Sequence, residues 1–293
     1  MIEWIISPED SGKKLISFLV DKLGQQYAAR ALKRILEGNG CRINGRTERF
    51  ASALIGSGDH IQLNLTAFST AESMLSLEIS RVLYEDEDFL IYDKPAGINS
   101  DEKGILQLLK PSYPSLQLVH RLDRYTTGVL ILAKNAWIFN QMLQAFKELR
   151  IQKCYMAIVD RVIAKKKGSI DNYLGKKHSY NGQTIWGAVN KSQGLHAHTD
   201  WIKMQEGEEA TWISCFPKTG RTHQIRVHLA ESGHPILGDF QYCKQFRCSY
   251  SPKRYLLHAQ SISFQHPRTG KMVKVEAPIP EDFKECLRSC FHL

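Results

Sequence analysis

One aspartate of this chain stands between arginines. Asp123 lies in His120-Arg121-Leu122-Asp123-Arg124, followed by Thr126-Thr127-Gly128 and an apolar run. Nearby positive charge lowers a carboxylate's pKa and keeps it ionised. An ionised carboxylate can serve as nucleophile, base or electrostatic stabiliser. The plainer account is a surface Arg–Asp pair, worth about 0–1 kcal/mol. Tyr155 lies in Lys153-Cys154-Tyr155-Met156-Ala157-Ile158-Val159. A tyrosine on such a strand is ordinarily core, although a phenol can also stack or shuttle a proton. A third segment runs Lys218-Thr219-Gly220-Arg221-Thr222-His223-Gln224-Ile225-Arg226-Val227-His228-Leu229. His223 and His228 read as capping or packing histidines rather than metal ligands. Arg226 carries a planar guanidinium that can hold a carboxylate through two hydrogen bonds.

These segments need elements to hold them. GVLILAKN is an apolar, β-branched run and predicts a buried strand. AWIFNQMLQAFKELR has helical spacing through Ile138, Met142, Leu143 and Phe146. KCYMAIVDRV alternates as a strand, and WISCFPKTGRTHQIRVHLAESG reads as strand, basic turn and a helix from near Thr222 to near Gly233. Upstream, RVLYEDEDFLIYDKPAG gives two strands about an acidic turn, then a turn at Pro95 to Gly97. Residues 81–293 are thus expected to form an α/β (α+β) domain: a mixed, mainly antiparallel central sheet with flanking helices.

A smaller α+β unit is expected over residues 1–68. Leu15, Phe18, Leu19 and Leu23 mark one helix, and Ala28, Leu32, Ile35 and Leu36 a second that stops at Gly38 to Gly40. Cys41-Arg42-Ile43 and the Asn44-Gly45 pair predict a hairpin, and Ile61, Leu63 and Leu65 a further strand. Residues 69–80, small and polar at their start, read as a linker.

The bulk numbers narrow the partners. The 293 residues suffice for one large domain and a small one, and 43% hydrophobic content supports a packed core. A net charge of +9 favours a polyanion, nucleic acid before membrane. Residues 28–50 hold Arg30, Lys33, Arg34, Arg42, Arg46 and Arg49 against two acids, and residues 215–275 hold ten basic residues against two acidic ones. The first group reads as a phosphate-contacting surface. The seven cysteines are odd in number and unpaired in spacing, which points to a reducing cytoplasm. Neither Cys243 with Cys248 nor Cys286 and Cys290 with His292 has a convincing metal-ligand spacing, so no metal is expected. No apolar run is long enough to span a membrane, and the N-terminus does not read as a signal peptide.

HRLDRYTTGVLILAKN closely resembles the catalytic motif of the RluA-type pseudouridine synthases. His120 before RLD marks that type, where a related family has Gly, and Thr127 replaces the commoner Ser. KCYMAIV resembles the family's K-x-Y-x-A-x-V motif, with Asp160 where Gly is often found. GRTHQIRVHLA and GHPILGD, ending at Asp239, resemble its third segment almost letter for letter. The resemblance covers residues of about 81 to 281. The N-terminal unit resembles an S4-type RNA-binding domain over roughly residues 10 to 66.

The resemblance implies isomerisation of uridine to pseudouridine in structured RNA. The N1–C1′ bond breaks and a C–C bond forms at C5, with no redox step and no cofactor. It makes Asp123 the catalytic carboxylate, Tyr155 the group that stacks on the base, and Arg226 the partner of Asp123. Arg121 is implied to fill the gap left by the extruded base, and His120 to contact the same region. Thr126, Lys153, Arg221 and His223 are further candidates for substrate contact, beside Arg30, Lys33, Arg34 and Arg42 for RNA. Attack on C1′, assistance to elimination and attack on C6 all remain open. Large-subunit ribosomal RNA is favoured over transfer RNA, and a monomer is expected. The competing readings are a non-catalytic RNA-binding or ribosome-assembly factor and, further off, a glycoside hydrolase. The last would need two carboxylates about the scissile bond.

Overall fold

The computed structural model describes residues 1–65, 79–180 and 183–291. The linker expected at 69–80 lies outside the described residues save for its last two positions, as does His292.

The first 65 residues carry their own sheet and core. Strand β1 (Ile2–Ile5) pairs with β4 (His60–Leu63), which pairs with β2 (Cys41–Ile43), and β2 turns into β3 (Arg46–Thr47). Asn44 and Gly45 both adopt positive φ, 52° and 76°, as a two-residue hairpin turn of this kind requires. Helices α1 (Leu15–Leu23) and α2 (Ala29–Glu37) cover the sheet. Leu15, Phe18, Leu19, Leu32, Ile35 and Leu36 from one face of each helix meet Ile61 and Leu63 in a common core. Ala28 stays exposed and stands at the N-cap of α2.

The rest is built on a second sheet, of eleven strands among the described residues. Its strands are β5 (Val82–Glu85), β6 (Phe89–Lys94), β7 (Gln117–Leu118), β8 (Thr127–Ala133), β9 (Gln152–Asp160), β10 (Lys167–Tyr180), β11 (Gln183–Ala188), β12 (Leu195–Glu206), β13 (Ala210–Pro217), β14 (Leu257–Gln265) and β15 (Met272–Glu276). The order is β11-β10-β12-β13-β9-β14-β8-β6-β5, with β15 on β14 and β7 on β8. Among the described residues every ladder is antiparallel except β8 with β14, so the sheet is mixed and mainly antiparallel, as expected.

Strand β8 shows why its sequence lacks polar alternation. Val129 and Ile131 pack with Ile138 and Met142 of α4 (Ala136–Lys147). Leu130 and Leu132 face the other way, against Ile105 and Leu109 of α3 (Ile105–Leu109). Both faces are covered, so both registers of a period-2 strand must be apolar. In α4, Leu143 is 42% exposed, and Ala145 takes its expected place in the core. Helices α5 (Gln224–Glu231) and α6 (Glu281–Phe291) cover the face of β9 and β13, with Leu229, Phe283 and Leu287 packing on Ile158 and Ile213.

The two units touch. Asn39 Nδ2 donates to the carbonyls of Gly238 and Lys253 at 3.3 and 3.2 Å. Arg124 forms an ion pair with Glu37 at the end of α2. No helix among the described residues is long and apolar enough to cross a membrane.

Candidate active site

The loop before β8 presents Asp123, and its backbone is fixed from below. The Ser100 hydroxyl donates to the Leu122 carbonyl at 3.0 Å and accepts from the Leu122 N–H at 3.1 Å. Lys94, fully buried, donates from Nζ to the carbonyls of Pro95, Ile98 and Arg124 at 2.9, 2.9 and 3.0 Å. The Thr126 N–H returns to the Asp123 carbonyl at 3.0 Å and closes the turn. Gly128 then brings β8 onto β14. Its φ is +105°, and a Cβ there would lie 2.1 Å from the Ala259 carbonyl oxygen, so only glycine fits. Ala259 pairs with Gly128 on one side and with Tyr155 on the other, which sets the three in line across β8, β14 and β9.

The third segment is clamped by Gln224. Its buried amide oxygen accepts from the Thr219 hydroxyl at 2.6 Å and from the Arg221 N–H at 3.0 Å. Its amide nitrogen donates to the His198 carbonyl and the Thr199 hydroxyl. His223 occupies the N-cap of α5 with φ +56° and makes no side-chain cap. Its Nδ1 instead meets the Tyr242 hydroxyl at 2.6 Å, and its Nε2 lies 3.7 Å from Asp123 Oδ2. The capping expectation is therefore corrected for His223. The packing expectation describes His228, whose ring nitrogens meet Thr199 Oγ1 and Asn172 Oδ1.

Arg226 is 3% exposed and makes four hydrogen bonds. Nη1 donates to Asp123 Oδ2 at 3.1 Å. Nε and Nη2 donate to the two oxygens of Asp239 at 2.7 and 2.9 Å, and Nη2 also to Gln241 Oε1 at 2.7 Å. Its guanidinium carbon lies 4.3 Å from the Tyr255 ring centre and 5.1 Å from that of Tyr242. The two-bond fork expected on Asp123 lies elsewhere. The fork belongs to Asp239, and Asp123 receives one bond.

Asp123 keeps a quarter of its side chain exposed, 24%. Burial pushes its carboxyl up, but His223, Arg226 and Arg121 outweigh burial and hold it below the ordinary 3.8. His223 itself is pushed down to about 4 by burial and then by Arg226, so at neutral pH its ring is uncharged. At neutral pH the charges that keep Asp123 ionised are therefore Arg226, which is hydrogen-bonded to it, and Arg121. Arg124, its neighbour in sequence, turns away to the Gly97 carbonyl and to Glu37. Asp123 Oδ1 accepts no hydrogen bond among the described residues.

A cavity of about 480 Å³ opens above Asp123. Tyr155, Leu122, Ile225 and Leu257 give it flat and apolar walls, and Lys153, Lys218 and Arg221 line its rim. Burial, then the charge of Asp123, raises the pKa of the Tyr155 phenol, which stays protonated at neutral pH.

Residues 88–231 match the family described as RNA pseudouridylate synthase. The protein named ribosomal large subunit pseudouridine synthase C of Escherichia coli (strain K12) is 31% identical across 97% of this chain and 94% of its own length. The chain belongs to this family. As a pseudouridine synthase of the RluA type it is an isomerase, which remakes a glycosidic bond without adding or removing atoms. The synthase also shares 38% identity with the like-named protein of Buchnera aphidicola subsp. Schizaphis graminum, over 72% of this chain and 71% of that one. The solved structure of human RNA pseudouridylate synthase domain containing 1 has TM-score 0.60 at 26% identity, covering 67% of this chain and 82% of that one. That of domain containing 4 has TM-score 0.61 at 22% identity, covering 75% and 95%, and speaks for the fold.

The other expected contact residues fall at different depths. Arg121 is exposed at the cavity mouth. Lys153 donates to the Thr219 carbonyl at 2.9 Å, and Arg221 to the His196 carbonyl at 2.8 Å, both at the rim. Thr126 is buried, its hydroxyl 3.4 Å from that of Tyr255. His120 lines the cavity, but its Nε2 accepts from the Ile131 N–H at 2.9 Å and its ring packs on Phe146. Burial, then Lys153, pushes it down to about 3, so it is neutral. Lys33 and Arg42 are exposed on the N-terminal unit and Arg34 is half-buried, while the side chain of Arg30 lies outside the described residues. Arg49 departs from the surface reading: it is 7% exposed and lies against the Arg226 network. Asp239, Gln241, Tyr255 and Gln224 were not singled out for roles in the sequence. Asp239 closes the GHPILGD motif, which was the available signal.

Proposed function

We propose that this synthase converts specific uridines of large-subunit ribosomal RNA to pseudouridine, with Asp123 as the carboxylate that acts on the nucleotide. The observation that carries the reading is an ionised, partly exposed carboxylate with one free oxygen, set below a cavity walled by Tyr155. The ribosomal assignment is supported by relatives named for large-subunit ribosomal RNA that match nearly the whole chain. Residues 1–68 would act as an S4-like RNA-binding domain, and 81–293 as the catalytic domain. Lys33, Arg34 and Arg42, with Arg30, would follow phosphates, where contacts position the RNA without reading its sequence.

The target uridine leaves its stack at a cost of a few kcal/mol. Arg121, exposed and without a hydrogen-bond partner among the described residues, fills the space behind it, since a guanidinium stacks on bases. Tyr155 lies along the uracil. Asp123 Oδ1 then attacks C1′, assists elimination of uracil, or adds at C6; the same ionised oxygen begins each route. Arg226 holds that charge in place, and a positioned ion costs little reorganisation when the bond breaks. The base turns over, C5 bonds to C1′, and the Tyr155 phenol relays the C5 proton.

Chemical mapping of pseudouridine in total RNA from cells with and without this gene tests the reading. Loss of specific sites in the large-subunit ribosomal RNA is expected. Loss confined to transfer RNA would overturn the substrate, and no loss from a strain lacking every related gene would overturn the activity.

A further inference from the structure

A second, smaller cavity of about 220 Å³ lies on the other side of Asp123. It shares Arg121, Asp123, His223 and Arg226 with the larger one. Arg49, from the N-terminal unit, reaches into it. Arg49 is 7% exposed, its Nε is buried with no partner, and it makes no hydrogen bond or ion pair among the described residues.

Arg49 feels the charge of Asp239, but no carboxylate among the described residues pairs with it directly. Asp239 and Asp123 are held by Arg226, and Glu37 by Arg124. His223 is neutral. A buried guanidinium without a partner bears its full desolvation cost, and it presents a planar fork suited to two oxygens of one anion. The space is below the roughly 300 Å³ at which sites for whole small molecules begin, whereas the cavity over Tyr155 lies within that range.

We propose that the smaller cavity is a phosphodiester subsite and that Arg49 binds the phosphate next to the target uridine. The uracil occupies the larger cavity, the ribose sits at Asp123 between the two, and one flanking phosphate meets Arg49. The substrate site is thus completed by the N-terminal unit. This inference rests on the reading of Asp123 given above.

The test is a cycle on the full-length protein. The probe is an RNA stem-loop carrying a mapped target uridine, with a neutral methylphosphonate at its 5′ or its 3′ linkage. Affinity and single-turnover rate are both measured. For the wild type, neutralising one linkage should weaken binding about 10- to 100-fold, the scale of a charge-assisted hydrogen-bonded contact. Arg49→Ala should lose a similar factor on the unmodified RNA and be indifferent to that linkage. Arg49→Lys should recover part of the affinity. The sensitive linkage tells whether the 5′ or the 3′ phosphate is bound. Equal methylphosphonate losses in wild type and Arg49→Ala at both linkages would overturn the proposal, leaving Arg49 a residue of the contact between units. Thermal melts keep a folding defect from passing as a binding one. Since affinity is read apart from turnover, an intact cycle on an RNA that is never isomerised would count against the proposed function and not against the subsite.

Discussion

Arg226 turns its two-nitrogen edge to Asp239 and offers Asp123 a single hydrogen bond, Nη1 to Oδ2 at 3.1 Å. That division has a chemical use. A fork on Asp123 would occupy both carboxylate oxygens and lower their reactivity. One bond fixes the carboxylate and its charge and leaves Oδ1 for the substrate. Asp239 is the residue that keeps the fork away.

Replacing Asp239 should therefore damage catalysis from one shell behind the reacting atoms. In Asp239→Asn, Arg226 is freed to swing onto Asp123. The single-turnover rate should fall about 100-fold, as for a displacement of about 1 Å at a reacting group, with RNA affinity little changed. Breaking a buried ion pair should also cost about 3–5 kcal/mol of stability. Rapid-quench kinetics and urea unfolding measure the two effects, and a wild-type rate would contradict the division of roles.

The pH profile separates the cavity's groups. Asp123 is held below its ordinary value and His223 is near 4, so neither changes charge between about pH 5 and about pH 7.5. These two groups put no limb on the rate of the bound complex there. Burial, then Arg254, lowers Lys94 under the Asp123 loop to about 7, so a limb in this range belongs to Lys94, and one that persists in Lys94→Met would make His223 a proton donor. Burial, then Arg221, lowers Lys153 to about 8. Its folded value lies below the ordinary 10.5, so its positive charge is lost as pH rises through about 8. RNA affinity should weaken across that window, and Lys153→Met should remove the dependence.

Lys94 supports the Asp123 loop through three carbonyls. Lys94→Met leaves one buried acceptor, the Pro95 carbonyl, and two half-buried ones without their donor, a buried one being worth about 1–3 kcal/mol. A loss of about 1–3 kcal/mol in urea unfolding is expected, with reduced turnover in the fraction that stays folded.

Gly128→Ala places a methyl 2.1 Å from the Ala259 carbonyl oxygen in a backbone conformation of φ +105°. Strain of this kind costs about 1–3 kcal/mol before the clash is counted, and the pairing of β8 with β14 should open. Differential scanning calorimetry should show a melting temperature lowered by many degrees. An unchanged one would contradict the strand contact.

The site's first residues were legible because motif, charge and element agree at Asp123, Tyr155 and Arg226. Strands β6 and β8 and helices α1, α2 and α4 were legible from apolar periodicity. Strands β10, β11 and β12 were not: in KGSIDNYLGKKHSY, Ile170 and Leu174 are the only aliphatic residues and about half of the stretch is exposed, so hydrophobic alternation had little to report. β1 was missed because four residues give no period. Arg49 was read as part of a basic surface and Arg124 as charge beside Asp123, and both readings rested on neighbours in sequence. Arg124 finds its acid in Glu37, 87 positions away, and Arg49 is buried by a contact between units. The Arg226 fork was misassigned because two acids were within reach and sequence alone does not rank them.

The most direct test is Asp123→Asn assayed twice on one RNA, for pseudouridine formation and for affinity. The substitution keeps the shape of the side chain and removes its charge. Turnover should be abolished while the dissociation constant stays within about threefold of wild type. Substantial isomerisation by this variant would contradict the assignment of Asp123 and with it the account of how Arg226 and Asp239 serve it.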